Sequence, residues 1–360
     1  MKKTITILTF ASLLFAASCL KEDDGAVVIP PLTGSTIAPE VGGATQPNQV
    51  WVDLTNEEQF VTPRTSWDLA FSTGDEFRVV LNNSILMAAA AIESNDIDAV
   101  NESDFSAVKT LIEPAAGFPG QYIDDVKGNY FDNGTAIAEI SAQDSENKVY
   151  LVKLGYGIYQ GNVPAYSAYI AGEMRGYKKV RVLRHDAHSY KIQYADLNDT
   201  DHSEFIIHKD PDYHFSFFSF DTEELATVQP TKANWDICFT AWNNVIEGFG
   251  TYSYSDFIIS NIHSGVGSYI VESDPLTLEE DYSNFTLADV DTSLFDFEDQ
   301  RAIGSTWRST VSGTTSNPAI YSDRFYVIKD AEGVLFKLRF LKMLGENNER
   351  GYPEFEYAPL

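Results

Sequence analysis

The chain has 360 residues, and its 25 lysines and arginines stand against 53 aspartates and glutamates, a formal net charge of -28. Such a balance excludes a nucleic-acid partner, because affinity for phosphate backbones comes from Lys and Arg. With 44% hydrophobic and 13% aromatic residues there is material for a large core, while two cysteines, Cys19 and Cys238, leave no room for a disulfide framework or a cysteine zinc site.

Lys2 and Lys3 precede an apolar run over residues 5–17, and Ala16, Ala17 and Ser18 put small side chains directly before Cys19. The run is shorter than the roughly 20 apolar residues of a membrane span. It reads as a lipoprotein signal over residues 1–18, with lipid attached at Cys19. Lys21, Glu22, Asp23 and Asp24 follow at once, a pattern similar to the export signal that sends some lipoproteins to the outer face of the outer membrane. The expected location is therefore the cell surface, with lipid as the membrane anchor. Residues 19–48, rich in Pro, Gly and Thr, read as a flexible tether.

Beyond the tether the pattern is mainly β. Residues 149–154, 178–184, 190–194, 205–208, 214–220 and 325–329 are short runs of aromatic and β-branched residues bounded by turn formers. Asp330-Ala331-Glu332-Gly333 predicts a hairpin connection. Helices are expected over residues 103–112, stopped by Pro114, and over residues 287–301.

One short unit occurs twice. Val50-Trp51-Val52-Asp53 leads to Ser66-Trp67-Asp68-Leu69-Ala70-Phe71, and Phe218-Ser219-Phe220-Asp221 leads to Asn234-Trp235-Asp236-Ile237-Cys238-Phe239. Farther on, Val79 to Asn82 corresponds to Ile258 to Asn261. The repetition predicts two related β-rich halves, residues 49–195 and 196–360, with equivalent strand pairs. Strand alternation would put Trp67, Leu69 and Phe71 on one face, with Asp68 and Asp236 holding a turn or a neighbouring amide.

The Trp-Asp units, Tyr177 to Arg181 with Tyr190 to Ala195, Phe217 to Asp221, and the C-terminal runs Asp323 to Asp330, Lys337 to Phe340 and Glu349 to Pro353 resemble the HmuY-like family of surface heme-binding lipoproteins. The resemblance implies a mainly β fold that binds heme and hands it to a TonB-dependent outer-membrane receptor. The competing expectation is a cofactor-free structural or adhesion lipoprotein that contacts a protein or a glycan. Neither is an enzyme, and no phosphate-binding loop, nucleophile elbow or zinc-protease motif occurs in the chain.

Heme requires axial donors, an apolar slot and partners for its propionates. His263, at a strand end beside Gly265 and Gly267, is the expected axial metal ligand, with Met87 as the second donor and Tyr252 and Tyr254 along the slot. His208 and His214 could hold a transition metal across a hairpin. Among the basic residues Arg175, Lys178, Lys179, Arg181 and Arg184, strand alternation puts Lys179 and Arg181 outward on a solvated face, with Val180 and Val182 inward.

Overall fold

The computed structural model describes residues 34–310 and 317–360, so the signal segment and Cys19 lie outside the described residues. Strands form where aromatic and β-branched runs alternate between turn formers. The chain begins with β1 (Ser35–Ile37), β2 (Asn48–Asp53), β3 (Glu58–Pro63), β4 (Leu69–Ser72), β5 (Val79–Leu81) and β6 (Ala88–Ala91). Helix α1 (Ser106–Ile112) follows, then β7 (Tyr150–Lys153), β8 (Tyr177–Asp186), β9 (Ser189–Ala195) and β10 (Ser203–His208). The next strands are β11 (Phe215–Ser219), β12 (Glu224–Ala226), β13 (Ile237–Ile246), β14 (Gly250–Ser260) and β15 (Gly267–Glu272), then helix α2 (Leu278–Asn284). The chain ends with β16 (Arg308–Ser309), β17 (Ala319–Ile320), β18 (Arg324–Lys329), β19 (Leu335–Leu344) and β20 (Arg350–Pro359).

Two five-stranded sheets match one another, β10-β9-β8-β7-β6 and β1-β20-β19-β18-β15. Strand β10 extends the first sheet to His208, and β1 takes the corresponding edge of the second by pairing with β20. The two four-stranded sheets, β12-β11-β4-β5 and β14-β13-β2-β3, are each built from both ends of the chain. In one, the late hairpin β11-β12 pairs with the early strand β4, setting Phe217 opposite Ala70. In the other, the early hairpin β2-β3 pairs with the late strand β13, setting Trp51 opposite Cys238. The repeat units thus exchange their leading hairpins.

Buried carboxylates fasten the exchange in matching ways. The Asp68 amide donates to Phe218 O (2.8 Å), and its carboxylate accepts from the Phe220 amide (2.7 Å). The Asp236 amide donates to Val52 O (2.8 Å), and its carboxylate accepts from the Leu54 amide (2.8 Å). Asn82 donates to the carbonyls of Arg64 and Trp67, as Asn261 does to those of Lys232 and Trp235. The expected amide-holding role of both aspartates is what the structure has.

Four expectations need correction. Residues 34–48 are packed and do not form a loose tether: β1 sits in a sheet, Val41 is buried, and the side-chain amide of Gln46 bonds to Asp256 at 2.5 Å. Within residues 287–301 there are two short 3-10 turns and otherwise irregular chain, and the helix lies earlier, at α2. Trp67 precedes β4, so strand alternation does not reach it; it packs with Ala70 and Val80, whereas Leu69 and Phe71 join a separate core. Lys179 is fully buried, its ammonium held by the carbonyls of Val100 (2.8 Å) and Asp199 (2.6 Å), because β8 has covered surface on both sides at that position.

Candidate functional site

The exchanged strands bring the repeated aromatic residues together. Trp235 meets Trp51 edge-on at 4.6 Å between ring centroids, and Trp67 meets Phe217 edge-on at 4.9 Å. The two pairs occupy corresponding positions, since Trp51 faces Cys238 as Phe217 faces Ala70. Together with Trp242, Tyr130 and Phe215 they wall a cavity of about 70 Å³. Asn83 and Ser84 reach it from the turn after Asn82, and His263 reaches it from the equivalent turn after Asn261.

His263 packs among Tyr130, Phe131 and Phe215 with centroid distances of 5.7 Å to each, and its Nε2 is buried without a partner. Burial pushes its pKa down to about 4, so the imidazole is neutral near pH 7. His214 lies 5.6 Å from it, and its pKa is also lowered to about 4, first by burial and then by His263 and Lys232. The Ser264 hydroxyl donates to Lys232 O (2.5 Å), which leaves its oxygen to accept from Nε2 of His214 at 2.8 Å. His214 therefore turns toward the His263 turn and not toward His208.

The four expected heme contacts are not brought together. Met87 is 1% exposed and fills the core around Leu69, Phe71 and Val152, away from the cavity. Tyr252 and Tyr254 lie along a separate groove with Tyr166, Tyr169, Arg308 and Arg350. His263 has a suitable donor atom, but its cavity of about 70 Å³ is far below the roughly 300–1,000 Å³ of pockets that enclose larger organic ligands, so a macrocycle does not fit there.

An open groove of about 530 Å³ lies beyond the cavity's Phe215 and Phe217 wall. It runs from the end of β10 across β11 and β12, lined by His208, Lys209, Tyr213, Phe215, Phe217, Leu225 and Val228. The His208 side chain is exposed at its rim, while Leu225 remains 49% exposed on the apolar side. Lys209 reaches Gly74 O (2.5 Å) and lies over the Phe77 ring at 3.5 Å. His208 was legible as a histidine beside a strand. Its apolar surroundings were not, because Phe215, Leu225 and Val228 approach only through the hairpin at β11-β12.

Among the described residues no helix is long and apolar enough to cross a membrane. The sequence matches the family described as HmuY protein twice, over residues 45–209 and over residues 211–357. No curated protein matches. Among solved structures, the apo HmuY analogue of Tannerella forsythia aligns with 8% identity over 92% of this chain and 97% of its own, at a TM-score of 0.24. A Bacteroides vulgatus protein assigned as HmuY-like and heme-binding aligns with 8% identity over 91% of this chain and 92% of its own, at a TM-score of 0.22. A Bacteroides fragilis protein assigned as a lipoprotein aligns with 11% identity over 49% of this chain and 92% of its own, at a TM-score of 0.21.

Proposed function

The chain belongs to the HmuY family, and from that premise we propose that it is a lipid-anchored surface protein of the outer membrane that binds heme and passes it to a TonB-dependent receptor. Heme lies in the groove between the end of β10 and the hairpin β11-β12. The observation that carries this reading is one open space of about 530 Å³ that joins an exposed imidazole, His208, to apolar walls from Phe215, Phe217, Leu225 and Val228. Imidazole supplies the nitrogen that ferric or ferrous heme takes as an axial ligand, and the apolar walls take the macrocycle.

Tyr213 borders the same groove. His263, behind the Phe215 and Phe217 wall, belongs to the small aromatic-walled cavity and supports the groove from within. Cys19 carries the lipid, and the acids behind it direct the protein outward.

Titration of the purified protein with ferric heme tests the reading. The expected result is a saturable Soret shift that weakens at least tenfold in His208→Ala, equivalent to about 1.4 kcal/mol. His263→Ala should retain the shift. Equal binding by wild type and His208→Ala would remove the groove from consideration.

A further inference from the structure

A second groove, of about 510 Å³, is lined by residues 166–170, by Tyr252 to Ser255 of β14, and by Arg308 and Arg350 at the starts of β16 and β20. Its charge is opposite to that of the chain. Among the described residues no Asp or Glu lines it, although the chain has 53 of them, and its charged groups are the two arginines.

Both guanidinium groups are buried, with Arg308 at 6% and Arg350 at 7% exposure. Arg350 is compensated: its Nε donates to the Asp256 carboxylate at 2.8 Å and its Nη2 to the Ser255 hydroxyl at 2.7 Å. Arg308 is not. Its Nη2 donates to Ser255 O (2.6 Å), its Nε is buried without a partner, and among the described residues no carboxylate forms an ion pair with it. Residues 311–316, which follow closely in the chain, contain no acid. Burial lowers the pKa of Arg308, Asp256 raises it, and Arg350 lowers it again. A guanidinium nevertheless keeps its proton, so two buried cations share one carboxylate, which the Gln46 amide also occupies at 2.5 Å. An oxyanion in the groove would supply the missing charge, and a guanidinium binds one with paired, charge-assisted hydrogen bonds.

The walls narrow the class of anion. Tyr169 and Tyr252 are 42% and 44% exposed, and Tyr252 is braced edge-on by Tyr254 at 5.2 Å between centroids. Exposed tyrosine rings present an apolar face to the C–H groups of a sugar and a phenol to its hydroxyls, on side chains with little conformational entropy to lose. Ser167 and Ser253 line the same groove. The opposite wall is anchored through its backbone: the Tyr166 amide donates to Asn348 O (2.8 Å), the Tyr169 amide to Ala44 O (3.0 Å), and Arg64 to Ile170 O (2.9 Å). Little ordering is then needed on binding.

We propose that this groove binds an acidic saccharide, with a carboxylate or sulfate against the Arg308 guanidinium and the sugar rings along Tyr169 and Tyr252. The ligand's acid does for Arg308 what Asp256 does for Arg350. Binding an acid against a net charge of -28 requires such a local site, because the field of the whole chain repels it.

Calorimetric titration of the heme-free protein with tetragalacturonate, with sulfated maltotetraose and with neutral maltotetraose tests the proposal. One saturable site is expected for at least one of the two acidic sugars, which identifies the oxyanion, with neutral maltotetraose at least tenfold weaker. Arg308→Met should weaken acidic-sugar binding at least tenfold. Tyr252→Ala, a change at an exposed ring, should weaken it too at an unchanged melting temperature, and it decides the matter should Arg308→Met fail to fold. No binding of either acidic sugar by wild type, equal binding of neutral maltotetraose, or wild-type binding by folded Arg308→Met or by Tyr252→Ala would overturn the proposal. None of these residues lines the heme groove, so the two proposals fail independently.

Discussion

Replacing Asp68 with Ala probes the hairpin exchange directly. The carboxylate holds the Arg175 guanidinium at 2.6 Å and the Phe220 amide at 2.7 Å, the latter from the second unit, 152 residues away in sequence. Breaking a buried ion pair costs about 3–5 kcal/mol. Arg175 keeps Asp221 at 3.0 Å and Leu154 O at 3.1 Å, which puts its share near the lower end. The stranded Phe220 amide adds about 1 kcal/mol, for a total of about 4 kcal/mol. Urea unfolding followed by tryptophan fluorescence and by circular dichroism should show one transition, moved to lower denaturant at unchanged slope. Both units should be lost together, because β11-β12 rests on β4 and β2-β3 on β13. A loss below about 1 kcal/mol, or a two-step transition in which residues 211–357 stay folded, would refute the reasoning.

Asp256→Ala should cost about 3–5 kcal/mol in thermal or chemical unfolding, because Asp256 receives Nε of Arg350 at 2.8 Å and the Gln46 amide at 2.5 Å in a buried setting. Burial raises the pKa of Asp124 to about 7 despite hydrogen bonds from the amides of Ala136 and Leu81. The folded chain therefore retains a proton that the unfolded chain releases near pH 4, and this acid's contribution to stability falls as pH rises from about 4 to about 7. The stability difference between wild type and Asp124→Asn should change by about 4 kcal/mol across that window and level off above it; a pH-independent difference would contradict the assignment. Trp235→Ala should cost about 3–5 kcal/mol, since the indole is 6% exposed and packs on Trp51, and a smaller shift in melting temperature than Phe249→Ala, at a 54% exposed site, would count against the shared aromatic centre.

The local pattern carried most of the strands. Alternation and turn formers placed β7 to β11, and the Asp330 to Gly333 turn connects β18 and β19 as expected. The duplicated Trp-Asp unit has its structural counterpart in two equally buried indoles, Trp67 and Trp235, both at 6% exposure. Which unit pairs with which is a different question, because β2-β3 has the same pattern whether it joins β4 or β13. Only long-range contacts decide it. The same limit applies to Lys179, whose hydrophilic side chain gives no sign of the carbonyls of Val100 and Asp199 that receive it. His263 was rightly placed on a turn at a strand end, but the size of the space before it depends on Tyr130 and Phe215 from distant segments. The residues 34–48 misled for a compositional reason: Pro and Gly there shape tight turns, with Gly42 and Gly43 at φ 88° and 80°, in a segment that packs.

The central claim is tested most directly by the stoichiometry of heme binding to the purified wild-type protein. The account predicts a Soret shift that saturates at one equivalent of heme per chain, since β1, which takes the edge position that β10 takes in the other sheet, carries no histidine corresponding to His208. Saturation at two equivalents, or no saturable shift at all, would contradict it.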